Sequence, residues 1–133
     1  MILTILKRFG VIKKFCHEGH LMEPSWNACP VCMAPICGWL VGLSGSHSVT
    51  NKVYTLHQGK IKIGTAYDCE VRILEDSISR EQAMIVQSDK HYTLTDLGSV
   101  GGTFVNNKQI SHKDIIDGDI IRFGEIEFLF KCI

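Results

Sequence analysis

The stretch GSVGGTFVNN, Gly98-Ser99-Val100-Gly101-Gly102-Thr103-Phe104-Val105-Asn106-Asn107, decides how the rest of the chain is read. Two consecutive glycines let the backbone turn without the hindrance of a Cβ, and the β-favouring Thr103, Phe104 and Val105 return it at once to an extended conformation. The plain reading is a tight turn between two strands. Upstream, HYTLTDL alternates so that Tyr92, Leu94 and Asp96 take one face and Thr93, Thr95 and Leu97 the other. From Gly38 onward the runs WLVGLSG, KVYTLHQ, KIKIG, EVRIL, AMIVQS, DIIRFG and IEFLFKC repeat this texture, with turn residues between them. No stretch holds a helical period long enough for a helix, so an all-β sandwich is predicted over 38–133.

Composition bounds the rest. A chain of 133 residues holds one compact domain and a small appendage. Its hydrophobic fraction of 45% and charged fraction of 21% are those of a folded protein. Fourteen basic residues balance 14 acidic ones, which argues against a nucleic-acid partner, because such binders carry a basic excess. The apolar runs MILTIL and ICGWLVGL are far shorter than the roughly 20 residues that span a bilayer, so no transmembrane segment is expected. At the start, apolar residues precede basic ones, the reverse of a signal peptide's order. A cytoplasmic location is expected. Lys7, Arg8, Lys13 and Lys14 read as a strand or linker with a solvated face.

Four of the six cysteines, Cys16, Cys29, Cys32 and Cys37, fall between residues 16 and 37, while Cys69 and Cys132 stand alone in strand-like sequence. Clustering of this kind favours a metal over a disulfide framework. Zinc takes four tetrahedral thiolate and imidazole ligands, and ligands two or three residues apart can face one ion from a tight turn. Cys29-Pro30-Val31-Cys32 supplies one pair. Cys16 supplies the other with His20, preferred over the adjacent His17 because Gly19 frees the backbone for a knuckle; Cys37 is a possible substitute. The segment of about 14–38 resembles a zinc ribbon of the short bacterial kind, within an N-terminal part of 1–37. No ligand position is open for water, so the Zn2+ is expected to be structural.

Motifs further along the chain converge on one family. Ile63-Gly64, Asp68-Cys69-Glu70-Val71, Asp76-Ser77-Ile78-Ser79-Arg80-Glu81-Gln82-Ala83, Asp96-Leu97-Gly98-Ser99-Val100-Gly101-Gly102-Thr103-Phe104-Val105-Asn106 and Asp117-Gly118-Asp119-Ile120-Ile121-Arg122-Phe123-Gly124 follow in an order and spacing that closely resemble a forkhead-associated (FHA) domain. The resemblance implies an eleven-stranded β-sandwich whose loops at one end read phosphothreonine in a protein partner.

The departures from the family pattern carry the functional reading. The family loop normally reads Ser-x-Asn-Gly-Thr, and its asparagine bonds the peptide backbone; here Gly101 stands in that place and offers no side-chain donor or acceptor. Where the family usually has a phosphate-gripping arginine, this chain has Thr65, a hydroxyl without charge. Ser79 matches the phosphate-contacting serine, and Arg80 beside it brings a positive charge that Asp76 and Glu81 are placed to compete for. Gln82 replaces the histidine that braces the loops, and Asn106 is a further candidate contact. Two readings follow: an adaptor or scaffold with a degenerate site, or a phosphothreonine-binding module in kinase signalling that relies on Ser79 and Arg80. An enzyme is not expected, because no nucleophile lies beside a base and no metal position is open. His47, His57, His91 and His112 are expected in loops or facing solvent. Asp117-Gly118-Asp119 reads as a turn, and Trp39 as a residue packing where ribbon meets sandwich.

Overall fold

The computed structural model describes residues 4–8 and 11–133, with side chains from Lys14 onward. The N-terminal part holds strands β1 (Thr4–Arg8), β2 (Val11–Phe15) and β3 (Leu21–Met22), then a single turn of helix, α1 (Pro30–Met33). Eleven strands follow: β4 (Ile36–Gly42), β5 (Val53–His57), β6 (Lys60–Gly64), β7 (Val71–Arg72), β8 (Ala83–Ser88), β9 (His91–Asp96), β10 (Thr103–Val105), β11 (Lys108–Ile110), β12 (His112–Ile115), β13 (Ile120–Phe123) and β14 (Ile126–Cys132). No helix among the described residues is long and apolar enough to cross a membrane.

These eleven strands form a six-stranded sheet, β11-β10-β13-β14-β4-β5, and a five-stranded sheet, β12-β9-β8-β6-β7. Pairing is antiparallel except between β6 and β7. Period-2 alternation faces the apolar side chains inward: Ile126, Phe128 and Phe130 are buried on β14, and Tyr92 and Leu94 on β9. Phe128 lies between Phe123 at 5.5 Å and Tyr54 at 6.0 Å, and Tyr92 meets Phe130 edge-on at 5.3 Å. The Tyr92 hydroxyl is satisfied by donating to the Cys37 carbonyl at 2.9 Å. Gly64 closes β6 where the backbone passes so near Arg80 that a Cβ would stand 2.1 Å from its carbonyl oxygen. The Asp117–Asp119 segment is a turn as read, with Gly118 at φ +92° and Asp119 accepting from the Ile116 N–H at 2.9 Å.

The N-terminal strands form a separate three-stranded sheet, β1-β2-β3. The strand expected around the basic residues is therefore present, while the solvated face expected of Lys7, Arg8 and Lys13 lies outside the described side chains. Lys14 departs from that reading. It is buried, and its ammonium donates to the carbonyls of Pro24 at 3.3 Å and of Trp26, because the loop after β3 folds back over it.

The two parts of the chain are joined by polar contacts as well as by the strand connection. Gln58 N–H donates to the Pro35 carbonyl at 2.7 Å, and His57 Nδ1 to the Ala34 carbonyl at 2.8 Å. His57 is thus buried rather than loop-like or solvent-facing, because β5 packs it beneath the chain leaving the ribbon. His47, His91 and His112 are exposed as expected. Trp39 lies half-buried between Thr55 and Lys131 on the outer face of the six-stranded sheet. Among the described residues, ring contacts span the two parts at Phe15 against Tyr67, at 6.0 Å, and at His20 against His57, at 6.3 Å.

Candidate functional site

Thr65 follows β6, Ser79 and Arg80 precede β8, and Gly98 to Gly102 join β9 to β10. The side chain that ties these loops together is Gln82. Fully buried, it accepts the Ser79 N–H on Oε1 at 3.0 Å and donates from Nε2 to the Gly102 carbonyl at 2.9 Å and to Thr103 Oγ1 at 3.2 Å. Its main chain donates to the Ile63 carbonyl at 2.9 Å and accepts from Leu97 N–H at 3.0 Å. One residue therefore fixes the ends of all three loops. Its amide does the bracing that the family assigns to a histidine, because an amide presents an acceptor and a donor at once.

Other bonds set the loops' shape. Asp96 accepts from the Gly98 N–H at 3.1 Å, the Ser99 N–H at 3.2 Å and Thr103 Oγ1 at 2.7 Å. Gly102 takes φ +83°, the left-handed conformation that favours glycine. Val100 N–H donates to Ser79 Oγ at 3.0 Å, and Thr65 N–H to the Ser79 carbonyl at 3.2 Å. Thr65, Ser79, Arg80 and Gly101 are thus brought to one end of the sandwich. Ser79 and Thr65 are half-buried; Arg80 is exposed and makes no ion pair among the described residues. The expected competition from Glu81 goes elsewhere, since its carboxylate faces Lys62 at 3.8 Å.

Asn106 lies beyond the far end of β10, and three strand residues carry the chain about 10 Å. Its amide is engaged there, donating to Asp119 Oδ1 at 3.1 Å and accepting from Ile120 N–H at 3.0 Å. Sequence reasoning passed over Arg122, which helps to line a cleft of about 550 Å3 with Ser77, Ser79, Val100, Gly101 and Gly124. Its guanidinium lies 3.8 Å from the Phe104 ring centroid and donates to the Gly124 carbonyl at 2.9 Å. The signal was the alternation of DIIRFG, which turns Arg122 away from the buried Ile121 and Phe123. Gly101 meets this cleft closely, for a Cβ there would stand 3.0 Å from Gly124 Cα.

The second cluster lies in the N-terminal part. Cys16, His20, Cys29 and Cys32 each present one ligand atom, all within 4.8 Å of one another. His20 Nδ1 is 3.4 Å from Cys16 Sγ, 3.6 Å from Cys29 Sγ and 3.2 Å from Cys32 Sγ. In a tetrahedral site with bonds of about 2.3 Å to sulfur and about 2.0 Å to nitrogen, ligand atoms stand roughly 3.5–3.8 Å apart, so the four can hold a metal ion. Two turns produce the arrangement. The Gly19 N–H closes onto the Cys16 carbonyl at 2.9 Å with φ +90°, and Met33 N–H closes onto the Cys29 carbonyl at 3.1 Å. His17 is exposed outside the cluster, and Cys37 donates to the Leu56 carbonyl at 3.4 Å, packed against the sandwich core.

Burial pushes the Cys32 thiol far up, helped by Glu18, Cys16 and Cys29. Glu18 Oε2 accepts from Cys32 Sγ at 2.9 Å, and this bond holds the carboxyl below its ordinary value. Burial likewise lowers His20, against the pull of Glu18 and of the Glu70 backbone carbonyl.

Comparison with known proteins gives a consistent result. The family model for the FHA domain matches residues 61–124. The FHA domain-containing protein FhaA of Mycobacterium tuberculosis is 32% identical over 82 residues, which cover 62% of this chain and 16% of that relative. This chain therefore spans a small part of the length of that relative. A structure from an analysis of phosphothreonine-dependent FHA domain interactions is 30% identical with a TM-score of 0.65, covering 73% of this chain and 97% of the other. The FhaA FHA domain, crystallised in complex with the intracellular domain of Rv3910, is 31% identical with a TM-score of 0.63, covering 71% and 99%.

If Gln82 braces the loops, replacing it with Leu keeps the volume but strands the Ser79 N–H, while the Gly102 carbonyl keeps the Gly124 N–H at 3.0 Å. Gln82→Leu is expected to lower the stability of the sandwich by about 1–3 kcal/mol for the group left buried and unpaired, measured by urea denaturation. A variant as stable as the parent contradicts the bracing role.

Proposed function

This chain belongs to the FHA domain family, and from that premise we propose that it is a non-enzymatic protein-interaction module, an adaptor or scaffold with a degenerate phosphothreonine site. One observation carries the reading: the loops are held in shape by Gln82, while Thr65 and Gly101 stand where the family has its phosphate-gripping arginine and its peptide-bonding asparagine. The remaining donors, Ser79 and Thr65, are neutral, and neutral hydrogen bonds are about half as strong as charged ones. The partner is a protein, recognised through the loop end whether or not it carries phosphothreonine. The likeness to an FHA domain solved with a protein partner supports that class of ligand. The second reading, phosphothreonine binding in kinase signalling through Ser79 and Arg80, draws on the exposed Arg80 guanidinium, which has no ion pair among the described residues.

In this division, residues 38–133 form the interaction module and 1–37 a metal-bearing segment. We assign structural Zn2+ to Cys16, His20, Cys29 and Cys32, where the ion would neutralise the thiolates and fix the two turns. The six free cysteines are consistent with a reducing compartment such as the cytoplasm. The cluster's own apolar core is small, formed around Cys16, Met22 and Cys29, so this segment depends on its ion.

Titration of the full chain with matched phosphothreonine and unphosphorylated peptide libraries is expected to show a preference below about tenfold. Thr65→Arg should raise phosphothreonine affinity by about 1.5–3 kcal/mol, the worth of a charged hydrogen bond. Gly101→Asn should add less, because its Cβ must displace Gly124. A parent that prefers phosphothreonine by tenfold or more, and loses the preference with Ser79→Ala or Arg80→Ala, establishes the second reading instead.

Metal analysis should return one zinc per chain, and Cys29→Ser should lose it. Chelation should abolish the dispersed amide resonances of the knuckle while those of the sandwich core persist. Absence of zinc from the parent, or undiminished zinc in Cys29→Ser, overturns the assignment.

A further inference from the structure

A cleft of about 360 Å3 opens where the metal knuckle meets the sandwich. The knuckle residues His17 to His20 form one wall, residues 52–55 and His57 another, and residues 70–72 the third. Strands β5 and β7 are end strands of their sheets, so the cleft lies along the side of the sandwich where neither sheet continues.

The charges in this cleft are unequally committed. Glu70 Oε2 accepts the Lys62 N–H at 2.9 Å, and Glu18, on the exposed rim, holds Cys32 Sγ. The two strong cations have no such engagement: among the described residues neither Lys52 nor Arg72 meets a carboxylate. Lys52 lies over the Tyr54 ring at 5.1 Å and Arg72 over the Tyr67 ring at 5.2 Å. Arg72 Nε is moreover buried without a hydrogen-bond partner. A buried guanidinium N–H left unpaired is costly, and native structures supply such groups with an acceptor. What this position lacks is an oxygen, and with two uncommitted cations beside it the fitting oxygen carries negative charge.

We propose that the cleft between the metal knuckle and the sandwich is a second binding site, which takes an anionic group, a carboxylate or a phosphate, through Arg72 with Lys52 at its mouth. The cleft shares no lining residue with the cleft at the Ser79 and Gly101 loops, although Arg72 pairs with Gly64 beside Thr65, and the proposal does not depend on how those loops read phosphothreonine. Because the knuckle forms one wall, the metal-bearing segment gains a role in recognition beyond closing its own fold.

The test is a titration of the full chain, carrying its zinc, with sodium phosphate and separately with sodium acetate at constant ionic strength. The arginine Nε–H resonances and the backbone amides of Thr55 and Val71 report the binding. A saturable shift at Arg72 is expected, with the Arg80 and Arg122 resonances not following the same curve. Saturation by phosphate alone identifies a phosphate ligand; saturation by acetate identifies a carboxylate. Lys52→Gln, an exposed substitution that keeps the Arg72 reporter, should weaken binding several-fold. Arg72→Gln, read at Thr55 and Val71, should weaken it by about tenfold or more. Shifts that stay linear for both anions overturn the proposal, as does saturation unaffected by Lys52→Gln and Arg72→Gln. A curve that vanishes instead with Ser79→Ala places the anion at the loops and also overturns it.

Discussion

The hydrogen bonds of the buried Gln82 amide constrain the functional end of this molecule more than any other contact. A side-chain amide removed from water must find partners for both its oxygen and its nitrogen. Gln82 finds them in the Ser79 N–H, the Gly102 carbonyl and Thr103 Oγ1, and its backbone adds Ile63 and Leu97. Those partners lie at the ends of three different loops. The amide can be satisfied only when the loops adopt their mutual arrangement, so loop shape is enforced by the core. This explains how the loops can keep their form with Thr65 and Gly101 standing where the family pattern has an arginine and an asparagine.

The N-terminal part follows another logic. Among the described residues its buried cluster is formed by Cys16, Met22 and Cys29, and its turns gather Cys16, His20, Cys29 and Cys32 into one group. It is nonetheless tied to the sandwich. The His20 ring stands edge-on to that of His57 at 6.3 Å, and His57 in turn donates to the Ala34 carbonyl. The geometry of the Cys/His cluster and the seating of the knuckle on the sandwich therefore meet at two imidazoles.

Much of this was legible in the sequence. The six and five strands of the sandwich match the eleven that the FHA resemblance implied, and period-2 alternation with turn residues had already pointed to an all-β sandwich. The gathering of Cys16, His20, Cys29 and Cys32 into one cluster that could hold a metal ion was readable from their spacing. What escaped depended on distant segments. His57 looks like a residue before a turn, and only the chain arriving from Ala34 and Pro35 buries it. Lys14 looks like a surface charge, and only the loop through Pro24 and Trp26 supplies its acceptors. Gln82 looked like an altered bracing residue of different geometry, and the structure shows which three groups its amide joins. Arg122 was hidden within a turn-and-strand motif whose glycines and isoleucines drew the reading.

The central claim is that the loops are preformed by the core rather than ordered by phosphate. It is tested most directly by hydrogen exchange at the Ser79 N–H and the Gln82 side-chain amide in the free chain and in the presence of O-phosphothreonine. The account predicts slow exchange at both groups without ligand, unchanged when phosphothreonine is added. Fast exchange in the free chain that becomes slow with phosphothreonine would contradict it, and would mark a site that completes itself on the phosphate.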